Sequence, residues 1–206
     1  MRTSHPRNVI PKTITLPSGY EMPRLGYGVY QIPGEFCNTV VCEALARDYR
    51  HTDTTTAYRN DFTCAYVVDF VATFGIPSKR NAILPRSEIF FTNKLPPKLR
   101  GPIARGTRFQ PPAVTPEEPN PPIPQGSEYL YELARKYQKT PAQILFRWSL
   151  QKGCVPIVKT VNRERMEENM GIWDWELEDE DVLQLETTEY KPHAGRLVEE
   201  GESLWG

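Results

Sequence analysis

No stretch of this 206-residue chain approaches the ~20 consecutive apolar residues that a bilayer-crossing helix needs, so no membrane span is expected. A surplus of either charge is missing too. The 25 Lys and Arg stand against 26 Asp and Glu, a formal net charge of −1. That balance argues against general attraction to nucleic acid or an anionic membrane surface and leaves room only for a local basic site. The four cysteines, Cys37, Cys42, Cys64 and Cys154, form no CxxC pair, and the three histidines, His5, His51 and His193, lie apart from them. Ligand spacing for structural zinc is therefore absent and no metal is expected. Buried free thiols in a reducing compartment are the simple reading. The opening MRTSHPRNVI lacks the apolar core of a secretory signal, which points to the cytosol.

What is present is an ordinary apolar share of 39%, enough for the core of a single domain. TITLPSGYEMP (13–23) reads as a hairpin around Pro17-Ser18-Gly19. LGYGVYQI (25–32) reads as a short strand broken by Gly26 and Gly28, where glycine permits close backbone approach. EFCNTVVCEALARD (35–48) sets Phe36, Val40, Val41, Ala44 and Leu45 on one helical face. YRHTD (49–53) follows as a strand and DFTCAYVVDFVATF (61–74) as a second helix, then a polar loop (78–87) and the strand EIFFTNK (88–94). Strand, helix, strand, helix, strand is the order of a parallel sheet with helices packed outside.

Residues 95–127 break the pattern. They hold 10 of the 20 prolines and no apolar period, and read as an irregular segment. Order resumes in EYLYELARKYQ (128–138). Thr140-Pro141 then supplies an N-cap and a first helical residue for AQILFRWSLQK, a helix ended by Gly153. CVPIVK (154–159) reads as a strand, Asn162 as the cap of a helix over 163–170, and EDEDVLQLE (178–186) as a short helix with an acidic start.

Parallel α/β folds build their sites at the carboxyl ends of strands. Asp53, Lys94 and Lys159 stand at such ends, and Tyr58 lies five residues past Asp53. A phenol with a pKa of about 10 is a poor acid at neutral pH. An adjacent ammonium favours the phenolate and makes proton release easier. Asp53 would hold Lys94 charged and oriented, and Tyr58 would protonate a carbonyl oxygen as a hydride reaches the carbon. An Asp at a strand end also serves as a helix cap, and a Lys there is often solvated; the residues alone leave both readings open. In VPIVKTVNRERMEEN (155–169), Lys159, Thr160, Asn162 and Arg165 surround a helix start whose exposed N–H groups and dipole attract phosphate. A solvated, charged helix start is the alternative.

Together these segments resemble the NADP(H)-dependent aldo-keto reductases. LPSGYEMPRLGYGVYQIP is similar to the family's opening hairpin and first barrel strand. ALARDYRHTDTTTAYRN resembles its first helix, second strand and Asp-to-Tyr spacing, and RSEIFFTNKL its third strand with the lysine. KTPAQILFRWSLQKGCVPIVKTVNRERMEEN with WDWELEDED resembles the late helix, last strand and adenosine-phosphate site. The resemblance implies that Asp53, Tyr58 and Lys94 are catalytic, with Tyr58 the proton donor. It implies that Gly28, Val29, Lys159, Thr160, Val161, Arg165, Glu168 and Asn169 bind NADP(H), and that Tyr30 meets a small-molecule carbonyl substrate.

The chain departs from the family in two places. The family's fourth catalytic residue is a histidine in a His-Trp-Pro setting after its fourth strand, and none of the three histidines here fits it. The central strands, which belong between Lys94 and residue 128, are replaced by the proline-rich segment. A (β/α)₈ barrel takes about 250 residues. The expected fold is therefore α/β: an incomplete (β/α)₈ barrel with an N-terminal β-hairpin and its central strands missing. Two functions follow, a carbonyl reductase weakened by the loss or an inactive relic that binds nucleotide or a partner chain.

Overall fold

The alternation read from the sequence is what forms. The computed structural model describes residues 10–94 and 128–187; the expectation for 95–127 lies outside the described residues. β1 (Thr13–Thr15) and β2 (Glu21–Pro23) make an antiparallel hairpin with Ile14 opposite Met22, turning through Gly19 at a φ of 83°. Next come β3 (Gly26–Gly28), α1 (Gly34–Ala46), β4 (His51–Thr55), α2 (Asp61–Phe74) and β5 (Phe90–Lys94). After the undescribed segment follow α3 (Glu128–Tyr137), α4 (Pro141–Gln151), β6 (Ile157–Val158), α5 (Arg163–Met170) and α6 (Asp179–Thr187).

Two local departures have clear causes. The strand expected over 25–32 ends at Gly28, because Gln31 takes a left-handed φ of 58° and turns the chain out of the sheet. The polar loop over 78–87 is bounded by two single 3₁₀ turns, Pro77–Lys79 and Arg86–Glu88.

The main sheet has four parallel strands in the order β5-β4-β3-β6. The β3–β6 pairing joins the described segments before and after residues 95–127, and the pairs Tyr27↔Val158, Gly28↔Asp53 and Thr55↔Lys94 bring all four carboxyl ends to one rim. The barrel is not closed: β5 and β6 pair on their outer sides with no other described strand.

Under the sheet, α1 buries Cys37, Val40, Val41, Ala44 and Leu45, the i, i+3, i+4, i+7, i+8 stripe of an amphipathic helix. It packs with Val67, Val68 and Val71 of α2 in one core that also takes in Val158 and Met166. Each such aliphatic residue stabilises the fold by about 1.5–3 kcal/mol on full burial. A second cluster joins Leu130 and Leu133 of α3, Ile144 and Trp148 of α4, and Leu177 and Leu185 at α6. α4 begins in a reciprocal capping box. Thr140 Oγ1 accepts from the Gln143 N–H and Gln143 Oε1 accepts from the Thr140 N–H, with Pro141 at the first helical position.

Candidate active site

Strand alternation puts His51, Asp53 and Thr55 of β4 on the open, inward face of the sheet and turns Thr52 and Thr54 toward the helices. Asp53 is only 5% exposed. On the neighbouring strand, Lys94 Nζ donates to Asp53 Oδ1 at 2.5 Å and to the Tyr58 hydroxyl at 3.5 Å. The same ammonium stands 5.4 Å from the centre of the Tyr58 ring. Burial pulls the lysine's pKa down, but the hydrogen bond and charge of Asp53, helped by Tyr58, outweigh it and hold Lys94 above its ordinary value. Lys94 is therefore a fixed cation at neutral pH. The structure brings together the three residues that the sequence pointed to.

Two residues that the sequence reading passed over place them. Thr55 ends β4 and caps the 3₁₀ turn Thr56–Tyr58; its Oγ1 accepts from the Ala57 N–H at 3.4 Å and donates to the Lys94 carbonyl at 2.9 Å. One hydroxyl thus ties the turn bearing the phenol to the backbone bearing the ammonium. Asn60 is 1% exposed. Its Nδ2 donates to the carbonyls of Val29 at 2.8 Å and Ile32 at 2.9 Å, and its Oδ1 accepts from Thr54 Oγ1 at 2.9 Å. That clamp pins the loop carrying Tyr30, whose exposed ring lies 4.9 Å from the Tyr58 ring at an angle of 55°. The only signal in the sequence was the polar run TDTTTAYRN, a dense set of short side chains where a strand hands over to a helix.

His51 lies deeper on the same face. Its Nδ1 must donate to the Pro23 carbonyl (3.2 Å), which leaves Nε2 to accept from Thr92 Oγ1 at 2.8 Å. Burial, the largest influence, holds the imidazole below its ordinary pKa. No described histidine neighbours Tyr58; His5 and His193 lie outside the described residues.

Across β3 lies the second set. Adjacent strands are about 4.8 Å apart, so the end of β6 stands roughly 10 Å from Asp53 along the rim. Gly28 faces the gap with bare backbone, and a Cβ there would fall 2.9 Å from Ile157 Cγ2. The buried Val29 donates its N–H to the Asp53 carbonyl at 3.3 Å. Past β6, the Tyr27 hydroxyl donates to the Thr160 carbonyl at 2.6 Å. Thr160 Oγ1 accepts from the Asn162 N–H at 3.1 Å, and Asn162 Oδ1 accepts from the Arg165 N–H at 3.0 Å. These bonds fix the loop into α5 and leave Lys159, Val161 and Arg165 exposed. Glu168 and Asn169 turn the other way. The Glu168 carboxylate accepts from Thr140 Oγ1 at 2.7 Å, and Asn169 is buried within hydrogen-bond reach of the Tyr49 hydroxyl. An ammonium, a guanidinium and the N–H groups of Arg163 and Glu164, which open α5 ahead of the capped Arg165 N–H, form a donor set that suits a phosphate. No group of three His, Cys, Asp or Glu among the described residues could hold a metal ion, and no described helix is long and apolar enough to cross a membrane.

A sequence model of the aldo/keto reductase family matches residues 92–189. An aldo-keto reductase of Mycolicibacterium smegmatis (strain ATCC 700084 / mc(2)155) is 25% identical over 266 aligned positions, covering 85% of this chain and 93% of the relative. That span exceeds the 206 residues here, so the relative carries segments this chain lacks. The 9,11-endoperoxide prostaglandin H2 reductase of Trypanosoma cruzi (strain CL Brener) is 42% identical over 57 residues, 28% of this chain and 20% of the relative. The crystal structure of an aldo/keto reductase from Brucella melitensis superposes with a TM-score of 0.66 at 22% identity, covering 86% of this chain and 97% of that one. The incomplete barrel is thus built on the architecture of these enzymes, and the likenesses together support an aldo-keto reductase family member that is shorter than its full-length relatives.

Proposed function

We propose that the chain reduces an aldehyde or ketone to an alcohol with NADPH, Tyr58 giving the proton. The observation that carries this reading is the Lys94 ammonium, held by a buried carboxylate at 2.5 Å and set against the phenol oxygen at 3.5 Å. The family likeness and the cationic start of α5 support the choice of cofactor.

Bound NADPH would supply a hydride to the carbonyl carbon. Lys159 and Arg165 would hold its 2′-phosphate, helped by the first-turn N–H groups of α5, Thr160 and Val161; Gly28 and Val29 would line the nicotinamide end. Glu168 and Asn169, whose side chains face inward, would serve the cofactor through the seating of α5. Tyr58 would donate its proton to the carbonyl oxygen, and the fixed charge of Lys94 stabilises the phenolate left behind. Asp53 keeps that ammonium charged and aimed. Tyr30, with its ring against Tyr58, would meet the substrate.

NADPH consumption with a small reactive aldehyde tests the reading. A rate that Tyr58→Phe lowers by roughly 10²–10⁴-fold supports it; a rate that Tyr58→Phe leaves untouched removes it. A second reading, nucleotide binding without turnover, is favoured by the lack of a described histidine beside Tyr58. It predicts quenched NADPH fluorescence on binding and no consumption with any carbonyl.

A further inference from the structure

Two of the four cysteines meet in the core. Cys37, in the first turn of α1, and Cys64, in the first turn of α2, have their sulfurs 3.0 Å apart, and both side chains are fully buried. Cys42 is half-buried and Cys154 exposed, and neither is placed beside another thiol. We propose that Cys37 and Cys64 form a reversible disulfide under peroxide, locking α1 to α2.

The geometry supplies what the bond needs. The sulfurs come from separate helices that already pack together, and about 1 Å of closure separates them from bonding distance. Contact between two buried thiols is otherwise only a weak hydrogen bond. The pair also has an internal division of labour. The hydrogen bond from Cys64 holds the Cys37 thiol below its ordinary pKa against the effect of burial, while that pairing and burial together push Cys64 well up. Cys37 is therefore the attacking sulfur. Its thiolate attacks one oxygen of hydrogen peroxide, the O–O bond breaks, and a sulfenic acid and hydroxide result; hydroxide takes the proton Cys37 lost and leaves as water. The Cys64 sulfur then attacks the Cys37 sulfur, the S–O bond breaks, and the departing hydroxide takes the Cys64 proton as a second water. Two thiols and one peroxide give one disulfide and two waters. Opening of the helices' first turns, which the backbone bonds Cys37 N–H to Pro33 and Cys64 N–H to Asn60 close, would admit the oxidant.

The bond would close a loop between residues 27 apart and staple the two turns that flank the Tyr30 loop. A cross-link of that size should raise Tm by roughly 5–15 °C. The test treats the whole purified chain with peroxide, blocks remaining thiols and maps the peptides. The expected product is a Cys37–Cys64 linked peptide, reversed by dithiothreitol, in a protein with the raised Tm. The double variant Cys42→Ser, Cys154→Ser should still form it, and Cys37→Ala or Cys64→Ala should not. Free Cys37 and Cys64 after treatment, over-oxidation without a link, or a link to Cys42 or Cys154 in the untouched chain would each overturn the inference. The wild-type peptide map decides even if a variant fails to fold.

Discussion

The molecule uses the same three residue types twice, in opposite ways. At the rim, buried Asp53 meets Lys94, and Lys94 meets Tyr58. At the start of α6, buried Asp181 accepts from Lys136 Nζ at 2.7 Å, from the Tyr129 hydroxyl at 2.9 Å and from the Tyr137 hydroxyl. Both carboxylates are nearly sealed, at 5% and 7% exposure. The difference is what each phenol faces. At Asp181 the phenols point their protons into the carboxylate. Burial first, and then the carboxylate, push Tyr129 and Tyr137 up to about 12. Burial alone would raise Asp181, but its three donors prevail and hold it below the ordinary carboxylate range. Such phenols keep their protons, and the set ties α3 to α6. At the rim the ammonium stands between carboxylate and phenol, so the phenol's oxygen faces a cation. The composition is shared; the order of contacts makes one set a clasp and the other a candidate acid.

Exchanging the phenols breaks the comparison most sharply. Tyr58→Phe should lower kcat by roughly 10²–10⁴-fold at nearly unchanged stability. Tyr137→Phe should leave kcat near the parent value. Steady-state kinetics on the two variants, with melting curves beside them, check both halves. Equal losses of kcat would erase the distinction.

Removing the clasp's carboxylate is the converse. Asp181→Ala strands the hydroxyl protons of the half-buried Tyr129 and Tyr137, while Lys136 keeps Glu178 at 2.7 Å, and an unsatisfied buried donor costs about 1–3 kcal/mol. Because Lys136 is 44% exposed and can turn to water, the net loss should be about 2–3 kcal/mol, read from urea unfolding. The helix start at α6 would loosen while the rim stays intact.

Much of the rim was legible in the sequence, and the clasp was not. Parallel strands end at one rim, so charged residues closing successive strands, Asp53 and Lys94, could be brought together on topology alone. The capping box at Thr140 and the hairpin at Gly19 are local, and local chemistry reads directly. Asn60 was opaque because its partners lie 28 and 31 residues back, set by how the Tyr30 loop closes over β4. Asp181 read only as part of an acidic helix start, since Tyr129 and Lys136 are 52 and 45 residues away. The inward turn of Glu168 and Asn169 was hidden for another reason. RERMEENM is too polar to announce a buried face, and Met166 and Asn169 share it only once α5 packs.

The rim differs from the clasp also in having a cationic helix start beside it. Arg165→Ala should raise the KM for NADPH by roughly 10–100-fold, the value of one charge-assisted hydrogen bond of about 1.5–3 kcal/mol, with little change in kcat. The KM for NADH, which lacks the 2′-phosphate, should barely move. A parallel loss for both cofactors would place Arg165 away from the phosphate.

The smallest expected effect comes from His51, a titrating neighbour that the clasp lacks. Burial depresses its folded pKa below the ordinary 6.5, against the opposing pull of Pro23 and Asp53. The unfolded chain therefore binds a proton in a range where the folded chain does not. Stability from this group is complete above pH 6.5 and declines as pH falls from there through the lower folded value. Urea midpoints measured downward from pH 7 should show that decline, and His51→Gln, which can keep a bond to Thr92 but cannot titrate, should flatten it. A slope unchanged by His51→Gln would assign the acid sensitivity to other groups, first among them Asp181 in the clasp, which its three donors hold below the ordinary carboxylate range.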